Sequence, residues 1–386
     1  MTAPAQHEPL AAVPAPVTTF SLPAGRHATA PPERRGLARD GVRLLVADPR
    51  RTQHCRFTDL PDILSVGDLV VVNTSATLPA TLQAVVTGPR PRQTSVNVAT
   101  GLDDGSWIVE VRLPDNTGPD TSLAPGRVLA LAGGVRLTLI VPYPDPGRRG
   151  TRLWRVRAEL DGVPLPDRVA HLQAHGRPVT YRYVSEQFPL CDYQTVYAAH
   201  PGSAELVSAG RPFSPDVLTR LVAAGVTLAP LILHTGLSSP EMHEPPAPEP
   251  FEVPTDTARL VASARAGGRR VIAVGTTVVR ALESATGQDG ILRPQRGWTD
   301  LVLHAGRPTR VVDGLITGLH EPQASHLMLL EAVAGSAVVT QAYAAATGQA
   351  PLDGHAGEGE PYLWHEFGDS MLLLKACSNP EPQLNR

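Results

Sequence analysis

The run Val271-Ile272-Ala273-Val274-Gly275-Thr276-Thr277-Val278-Val279-Arg280-Ala281-Leu282-Glu283 decides the fold. Four consecutive apolar residues, mostly β-branched, read as a strand buried on both faces, the texture of a parallel sheet. Gly275 then turns the chain directly into a helical segment carrying Arg280 and Glu283. Strand-to-helix junctions of this kind build α/β folds, where ligands gather at the carboxyl ends of the strands. A Gly-Thr-Thr turn at a helix start offers backbone N–H groups and hydroxyls to an anion or a ribose. The same residues serve equally as a threonine cap with no ligand.

The alternation of helix and strand extends outward from this run. On its N-terminal side, Ser214 is placed to cap a helix that begins at Pro215, with Asp216 complementing the dipole and Gly225 closing it. A strand over residues 226–233 follows, then a helix from Thr255 to about Gly267-Gly268. On its C-terminal side a strand is expected over residues 300–303 and a helix over 324–333. Two earlier apolar runs, Val42-Arg43-Leu44-Leu45-Val46-Ala47 and Asp68-Leu69-Val70-Val71-Val72-Asn73 after the Gly67 turn, read as further buried strands. Between residues 82 and 160 the texture changes. Val96-Asn97-Val98, Trp107-Ile108-Val109-Glu110-Val111-Arg112-Leu113 and Val135-Arg136-Leu137-Thr138-Leu139 alternate apolar and polar, separated by Asp-Gly, Pro-Gly and Gly-Gly turns. Close strands with such turns predict a small antiparallel barrel or sandwich inserted in the main domain. The expected organisation is a flexible Pro/Ala-rich arm over 1–32, an α/β domain over 33–81 and 161–386, and an inserted β-barrel over 82–160.

Composition narrows the function classes. The chain of 386 residues is 42% hydrophobic, and no apolar run reaches membrane-spanning length. Residues 1–20 lack the positively charged start of a secretory signal. Cys55, Cys191 and Cys377 are isolated, which argues against a disulfide framework, a cysteine-rich zinc site or a radical-type cluster and fits a reducing, cytoplasmic setting. The net charge of −3 excludes a strongly basic nucleic-acid binder but not a local basic groove. Of 34 cationic residues only Lys375 is lysine. Arginine suits phosphate binding, although a general compositional preference accounts for the bias as well.

Three segments carry candidate chemistry. His234 follows the apolar Leu231-Ile232-Leu233 and opens the polar loop Thr235-Gly236-Leu237-Ser238-Ser239, which suits an acid/base residue or a histidine that props the loop. Tyr193-Gln194-Thr195-Val196-Tyr197 mixes rings, an amide and a hydroxyl that can stack on and bond a base, or simply pack one face of a strand. The dipeptides His243-Glu244, His320-Glu321 and His365-Glu366 invite a metal-hydrolase reading. A zincin helix needs histidines four apart, whereas His320 and His326 are six apart with Pro322 between them.

Taken in order, these segments resemble the S-adenosylmethionine:tRNA ribosyltransferase-isomerases. The colinear matches include Phe57-Thr58-Asp59-Leu60, Gly67-Asp68-Leu69-Val70-Val71-Val72-Asn73, Tyr193-Gln194-Thr195-Val196-Tyr197, Ser208-Ala209-Gly210 and Leu233-His234-Thr235-Gly236. Ala273-Val274-Gly275-Thr276-Thr277-Val278-Val279-Arg280-Ala281-Leu282-Glu283-Ser284 is the most specific block. Val311-Val312-Asp313-Gly314-Leu315-Ile316-Thr317, His320 and Phe367-Gly368-Asp369-Ser370-Met371-Leu372 complete it, so the resemblance spans roughly residues 40–375.

The resemblance implies a large mixed α/β domain with an inserted small antiparallel β-barrel, S-adenosylmethionine as cosubstrate, tRNA as partner and no metal. It also implies transfer and isomerisation of the ribosyl moiety onto 7-aminomethyl-7-deazaguanine in tRNA, giving epoxyqueuosine and releasing adenine and methionine. That chemistry needs a base for the proton beside the sulfonium, donors for the departing adenine, and a water-excluding pocket. We expect His234 or His320 to move the proton and Asp369 to orient polar groups beside them. Gly275, Thr276, Thr277, Arg280 and Asp313 are expected around the cosubstrate, and Tyr193, Gln194, Arg211 and Ser238 around the acceptor. Several loops depart from the family pattern. The usual Ala-Pro-Thr-Ala-Gly-Leu-His-Phe is Leu206-Val207-Ser208-Ala209-Gly210-Arg211-Pro212-Phe213, and Phe-Ser-Tyr-Gly-Asp is His365-Glu366-Phe367-Gly368-Asp369. Loop changes on retained strands leave two alternatives, the same donor with another acceptor or a non-catalytic nucleotide-binding relative.

Overall fold

Unbroken aliphatic runs require cover on both faces, and one large sheet in the computed structural model provides it. Residues 15–147, 150–181, 183–184, 186–238, 246–348 and 362–375 are described. Residues 1–14 of the arm, Ser239 and Pro240, the His243-Glu244 pair and Cys377 lie outside them.

The chain lays down β1 (Arg43–Ala47), β2 (Thr52–Arg56), the short helix α1 (Leu60–Ile63), β3 (Leu69–Asn73) and β4 (Ser75–Thr77). Seven strands follow with no α-helix among them. They are β5 (Thr81–Val86), β6 (Arg92–Gly101), β7 (Trp107–Val111), β8 (Val128–Leu131), β9 (Val135–Pro142), β10 (Leu153–Leu160) and β11 (Val163–Pro164). After α2 (Arg168–His175) and β12 (His200–Ser203) come α3 (Pro215–Ala223), β13 (Thr227–Leu233), β14 (Glu249–Val253), α4 (Thr255–Ala266) and β15 (Val271–Val274). The chain continues through α5 (Thr276–Ser284), β16 (Gln295–Thr299), β17 (Gly314–Gly318), α6 (Ser325–Ala334), α7 (Ser336–Ala346) and β18 (Ser370–Leu374).

The large sheet has nine strands in the order β16-β14-β13-β3-β15-β17-β18-β1-β2. Its centre, β13-β3-β15-β17, is parallel. Period-two alternation splits the central strands between two cores. Val71, Ala229, Ala273 and Leu315 face the helices α4 to α7. Val70, Val72, Ile272, Val274 and Ile316 face Phe57, Phe213 and the buried stripe of α3. Strands β5 to β10 close a six-stranded antiparallel barrel through the β9–β10 pairing, around Val98, Val109, Leu129, Leu137 and Val156.

Most local signals form the expected elements. Ser214 Oγ accepts the Val217 N–H at 3.1 Å and Gly225 takes a φ of +80° after α3. Two expectations change. The strand expected over residues 300–303 lies earlier, at β16, because Gln295–Thr299 completes a ladder on β14, while Leu301 lies beyond that ladder and its carbonyl accepts Arg280 Nε at 3.2 Å. The arm is docked from Val17 onward. Its Thr18 and Val17 N–H groups donate to the buried Glu331 carboxylate at 2.7 and 3.2 Å, and Phe20 stacks on Tyr343 at 4.4 Å. His27 bridges to Trp364 in a one-residue parallel pairing. Pro and Ala content said nothing of these long-range partners. No single helix among the described residues is long and apolar enough to cross a membrane. The pair α6 and α7 has the combined length and composition but is bent by 119° and packs into the core.

Glu331 is 4% exposed and satisfies two arm N–H groups. Glu331→Ala leaves both unpaired, and we expect a loss of about 1–3 kcal/mol in urea unfolding with faster proteolysis N-terminal to Arg26. Unchanged stability and unchanged cleavage would show that this carboxylate does not hold the arm.

Candidate active site

The turn at Gly275 needs a residue without a side chain. Its φ is +93° and its ψ 153°, a region closed to L side chains, and it leads directly into α5. No side chain caps the helix. Its first turn, Thr276 and Thr277, opens on a cavity of about 210 Å³ whose wall also includes Arg280, Ser238, Thr317 and His320. Six of the expected site residues thus share one cavity: Gly275, Thr276, Thr277, Arg280, Ser238 and His320.

Arg280 is 6% exposed and works as part of the wall. Its guanidinium donates to the carbonyls of Leu301 and Thr299 at 3.2 and 3.1 Å and pairs with Glu249 Oε2. The other Glu249 oxygen accepts the Gly236 N–H at 2.7 Å, so one ion pair fixes α5, β14 and the loop after β13 together. His320 is held by its backbone, with its N–H on Tyr343 Oη and its carbonyl receiving Trp364 Nε1, both at 3.0 Å. Its Nε2 lies 3.0 Å from Thr317 Oγ1 and its ring stacks on His326 at 4.5 Å. Burial first, then the neighbouring His326 and His365, holds its pKa well below the ordinary histidine value, so its imidazole is uncharged at neutral pH. Burial, with Arg280 nearby, lowers His326 to about 4.

Two carboxyl groups that sequence reasoning did not select line the same cavity. Glu205 receives the Ser238 hydroxyl at 2.6 Å, and burial pushes its pKa up to about 7 against that bond. Glu366, raised to about 7 by burial, has a buried Oε2 with no hydrogen-bond partner among the described residues. Arg152, beside β10, donates to Glu110 of β7 at 3.0 Å and to the Leu237 carbonyl at 3.2 Å, which brings the barrel to the cavity wall. The cavity therefore holds imidazoles without charge and carboxyl groups that keep protons near neutrality. The only sequence hint was the His365-Glu366 pair, which had suggested a metal instead.

The remaining expected residues lie elsewhere. His234 sits on the other side of the β13 end, in a neighbouring cleft. Its Nδ1 is 2.7 Å from Ser75 Oγ, which is 2.6 Å from Ser203 Oγ, and a Cβ on Gly202 would fall 2.2 Å from the ring. Burial, then the neighbouring Arg168, His200 and Arg296, lowers its pKa to about 4. Asp369 accepts the N–H groups of Arg43 and Leu363 at 2.7 and 2.8 Å and joins β1 to the C-terminal segment. Asp313 accepts the Val271 N–H at 3.0 Å, at the opposite end of β15 from Gly275. Gln194 clasps the Thr77 backbone through both its oxygen and its nitrogen, at 2.9 and 2.7 Å. Tyr193 is buried against Phe367, and Arg211, 1% exposed, pairs with Glu33 and the Asp192 carbonyl at 2.9 Å. Two of the His-Glu dipeptides do converge. His27 Nε2 and His365 Nε2 approach Glu321 Oε1 at 2.9 and 2.6 Å, and the three ligand atoms lie within 4.8 Å of one another, close enough to share a cation.

Residues 17–373 match the family described as "Queuosine biosynthesis protein". The chain is 36% identical over 350 residues to the S-adenosylmethionine:tRNA ribosyltransferase-isomerase of Thermus thermophilus, covering 87% of this chain and 93% of that one. It is 32% identical over 379 residues to the enzyme of the same name from Desulfitobacterium hafniense, covering 92% and 98%. A crystal structure of an S-adenosylmethionine tRNA ribosyltransferase from Thermotoga maritima aligns at 25% identity with a TM-score of 0.48, over 92% of this chain and 99% of that one.

The Glu205 carboxyl yields a pH test. Its pKa rises from 4.5 to about 7 on folding. Between those values the folded chain keeps a proton that the unfolded chain has released, so stability falls as pH rises across the window. Glu205→Gln removes that loss. Relative to the native chain, the variant should gain roughly 1–3 kcal/mol between pH 5 and pH 8 in urea unfolding. An equal gap at both pH values would mean that the carboxyl does not titrate in that range.

Proposed function

Because this chain belongs to the queuosine biosynthesis protein family, we propose that it transfers and isomerises the ribosyl moiety of S-adenosylmethionine onto 7-aminomethyl-7-deazaguanine in tRNA. The products are epoxyqueuosine in the tRNA, adenine and methionine. Colinear similarity over residues 17–373 to the family, together with one cavity that joins an uncapped helix start to an uncharged buried imidazole, supports this reading. Its polar substrates fit a cytoplasmic setting.

The chemistry divides among the residues of the cavity. The N-terminus of α5, with the hydroxyls of Thr276 and Thr277, receives a polar part of the cosubstrate, where the helix dipole favours partial negative charge. His320, kept neutral by burial, accepts the proton from the carbon beside the sulfonium, whose positive charge stabilises the carbanion left behind. Departing adenine takes the electron pair of its glycosidic bond and must be protonated. Glu205 and Glu366, which hold protons up to about pH 7, are the cavity's candidate donors. The wall formed by Arg280, Glu249 and Gly236 excludes water without spending charge on the substrate. His234, outside the cavity, is a positioning residue in this scheme.

A second reading keeps the donor and changes the acceptor. It is favoured by Glu205 and Glu366, acidic groups at loops that depart from the family pattern. Mass analysis of products from tRNA carrying the deazaguanine precursor, against unmodified RNA and small-molecule extracts, separates the two.

Incubation with S-adenosylmethionine and precursor-bearing tRNA should release adenine in step with tRNA modification. His320→Gln should lower kcat by about 10²–10⁴ while S-adenosylmethionine affinity in calorimetry stays within a few fold. Tight cosubstrate binding without adenine release would count against the reaction. Full turnover by the variant would assign the proton to another base.

A further inference from the structure

At its β16 edge the large sheet carries α5 on one face and opens on the other into a separate cleft of about 610 Å³. The register aligns two rows of side chains on this open face. Ile232, Glu252 and Arg296 form one row. His234, Pro250 and Trp298 form the second, since His234 donates its N–H to the Pro250 carbonyl at 3.0 Å and Pro250 pairs with Trp298. Trp107, Trp154 and Trp364 are 2%, 3% and 0% exposed, whereas Trp298 is half-buried at the surface of this cleft.

Two arginines flank that row, with His200 beside them. Arg296 is 81% exposed on its side chain and lies 4.0 Å from Glu252, a loose pairing. His200 lines the cleft from β12, and Arg168 adds positive charge from α2. Asp103 and Glu252 are the acidic groups on the cleft. His234, kept uncharged, presents an imidazole edge rather than another cation. An open sheet face with one accessible indole, flanking cations and a flat proline–histidine row suits unstacked bases and their phosphates. The volume matches one or two nucleotides rather than a duplex, within the roughly 300–1,000 Å³ of small-ligand clefts.

The cleft and the catalytic cavity share a wall. Thr235 lines the cavity while its neighbour His234 lines the cleft, as alternation along an extended chain requires. Resting on the reading of tRNA as substrate, we infer that this face binds single-stranded RNA flanking the reacting base, with one base stacked on Trp298 and phosphate on Arg296 and His200.

The test uses the full chain, a fluorescein-labelled anticodon stem-loop RNA followed by polarisation across a salt series, and S-adenosylmethionine calorimetry as control. Trp298→Ala should weaken RNA binding about 10- to 100-fold, and Trp298→Phe should lose less, because a smaller ring still stacks. Arg296→Gln should weaken binding and lower the slope of log K against log salt by about one phosphate's share, ~0.7 for a single strand. Stem-loop binding should quench native tryptophan emission, and Trp298→Phe should remove the quench. Cosubstrate affinity should be unchanged in all variants. RNA binding by the variants within about twofold of the native chain, at matched salt and with intact melting curves, overturns the platform and leaves the tRNA reading standing. Cosubstrate binding with no RNA binding by the native chain overturns both.

Discussion

The ion pair between Arg280 and Glu249 is the constraint on which the site depends. Arg280 belongs to α5, Glu249 to β14, and the second Glu249 oxygen holds Gly236 in the loop after β13. Both charges are largely out of water, and such a pair is tolerated only when its remaining donors and acceptors are satisfied. The Leu301 and Thr299 carbonyls meet that condition. The result fixes the helix start, the loop and the sheet edge at once. The cavity on one side and the cleft on the other inherit their shapes from it.

Around that frame the protonation pattern is inverted from what solution chemistry would give. Burial strips charge from His320 and His326 and leaves protons on Glu205 and Glu366. One physical cause, loss of hydration, thereby supplies both an acceptor and donors of protons in one enclosure. Burial is the first cause of each of these shifts, and it depends on the barrel and the C-terminal segment, which bring Arg152 and Glu366 to the cavity wall.

That dependence explains what could be read in the sequence. The mixed α/β fold with an antiparallel barrel followed from the period of apolar residues and the turn chemistry, which are local. The Gly275 turn and its threonines were visible for the same reason. Gln194, Arg211 and Asp369 were polar residues in resembling blocks, but each has a partner far along the chain, 117, 178 and 326 positions away, so sequence could not tell that these bonds are spent within the protein. His234 was read as a histidine at a strand exit and His320 as part of a resembling block, and both were expected to move the proton. Alternation at the β13 end turned one of them to the other side. The carboxyl groups of Glu205 and Glu366 gained significance only from tertiary burial, which no local pattern encodes.

The place of β1 in the large sheet has a consequence for how the chain is born. β1 pairs in parallel with β18, Leu44 against Ser370, and its other neighbour is only the adjoining hairpin strand β2. On a ribosome the first strand therefore emerges long before its partner exists, with buried-type side chains such as Leu44 and Leu45 uncovered in the meantime. Non-local pairing of this kind slows folding and exposes sticky edges. The barrel, built largely from neighbouring strands, can close while synthesis continues, but the large sheet cannot be completed until β18 leaves the tunnel.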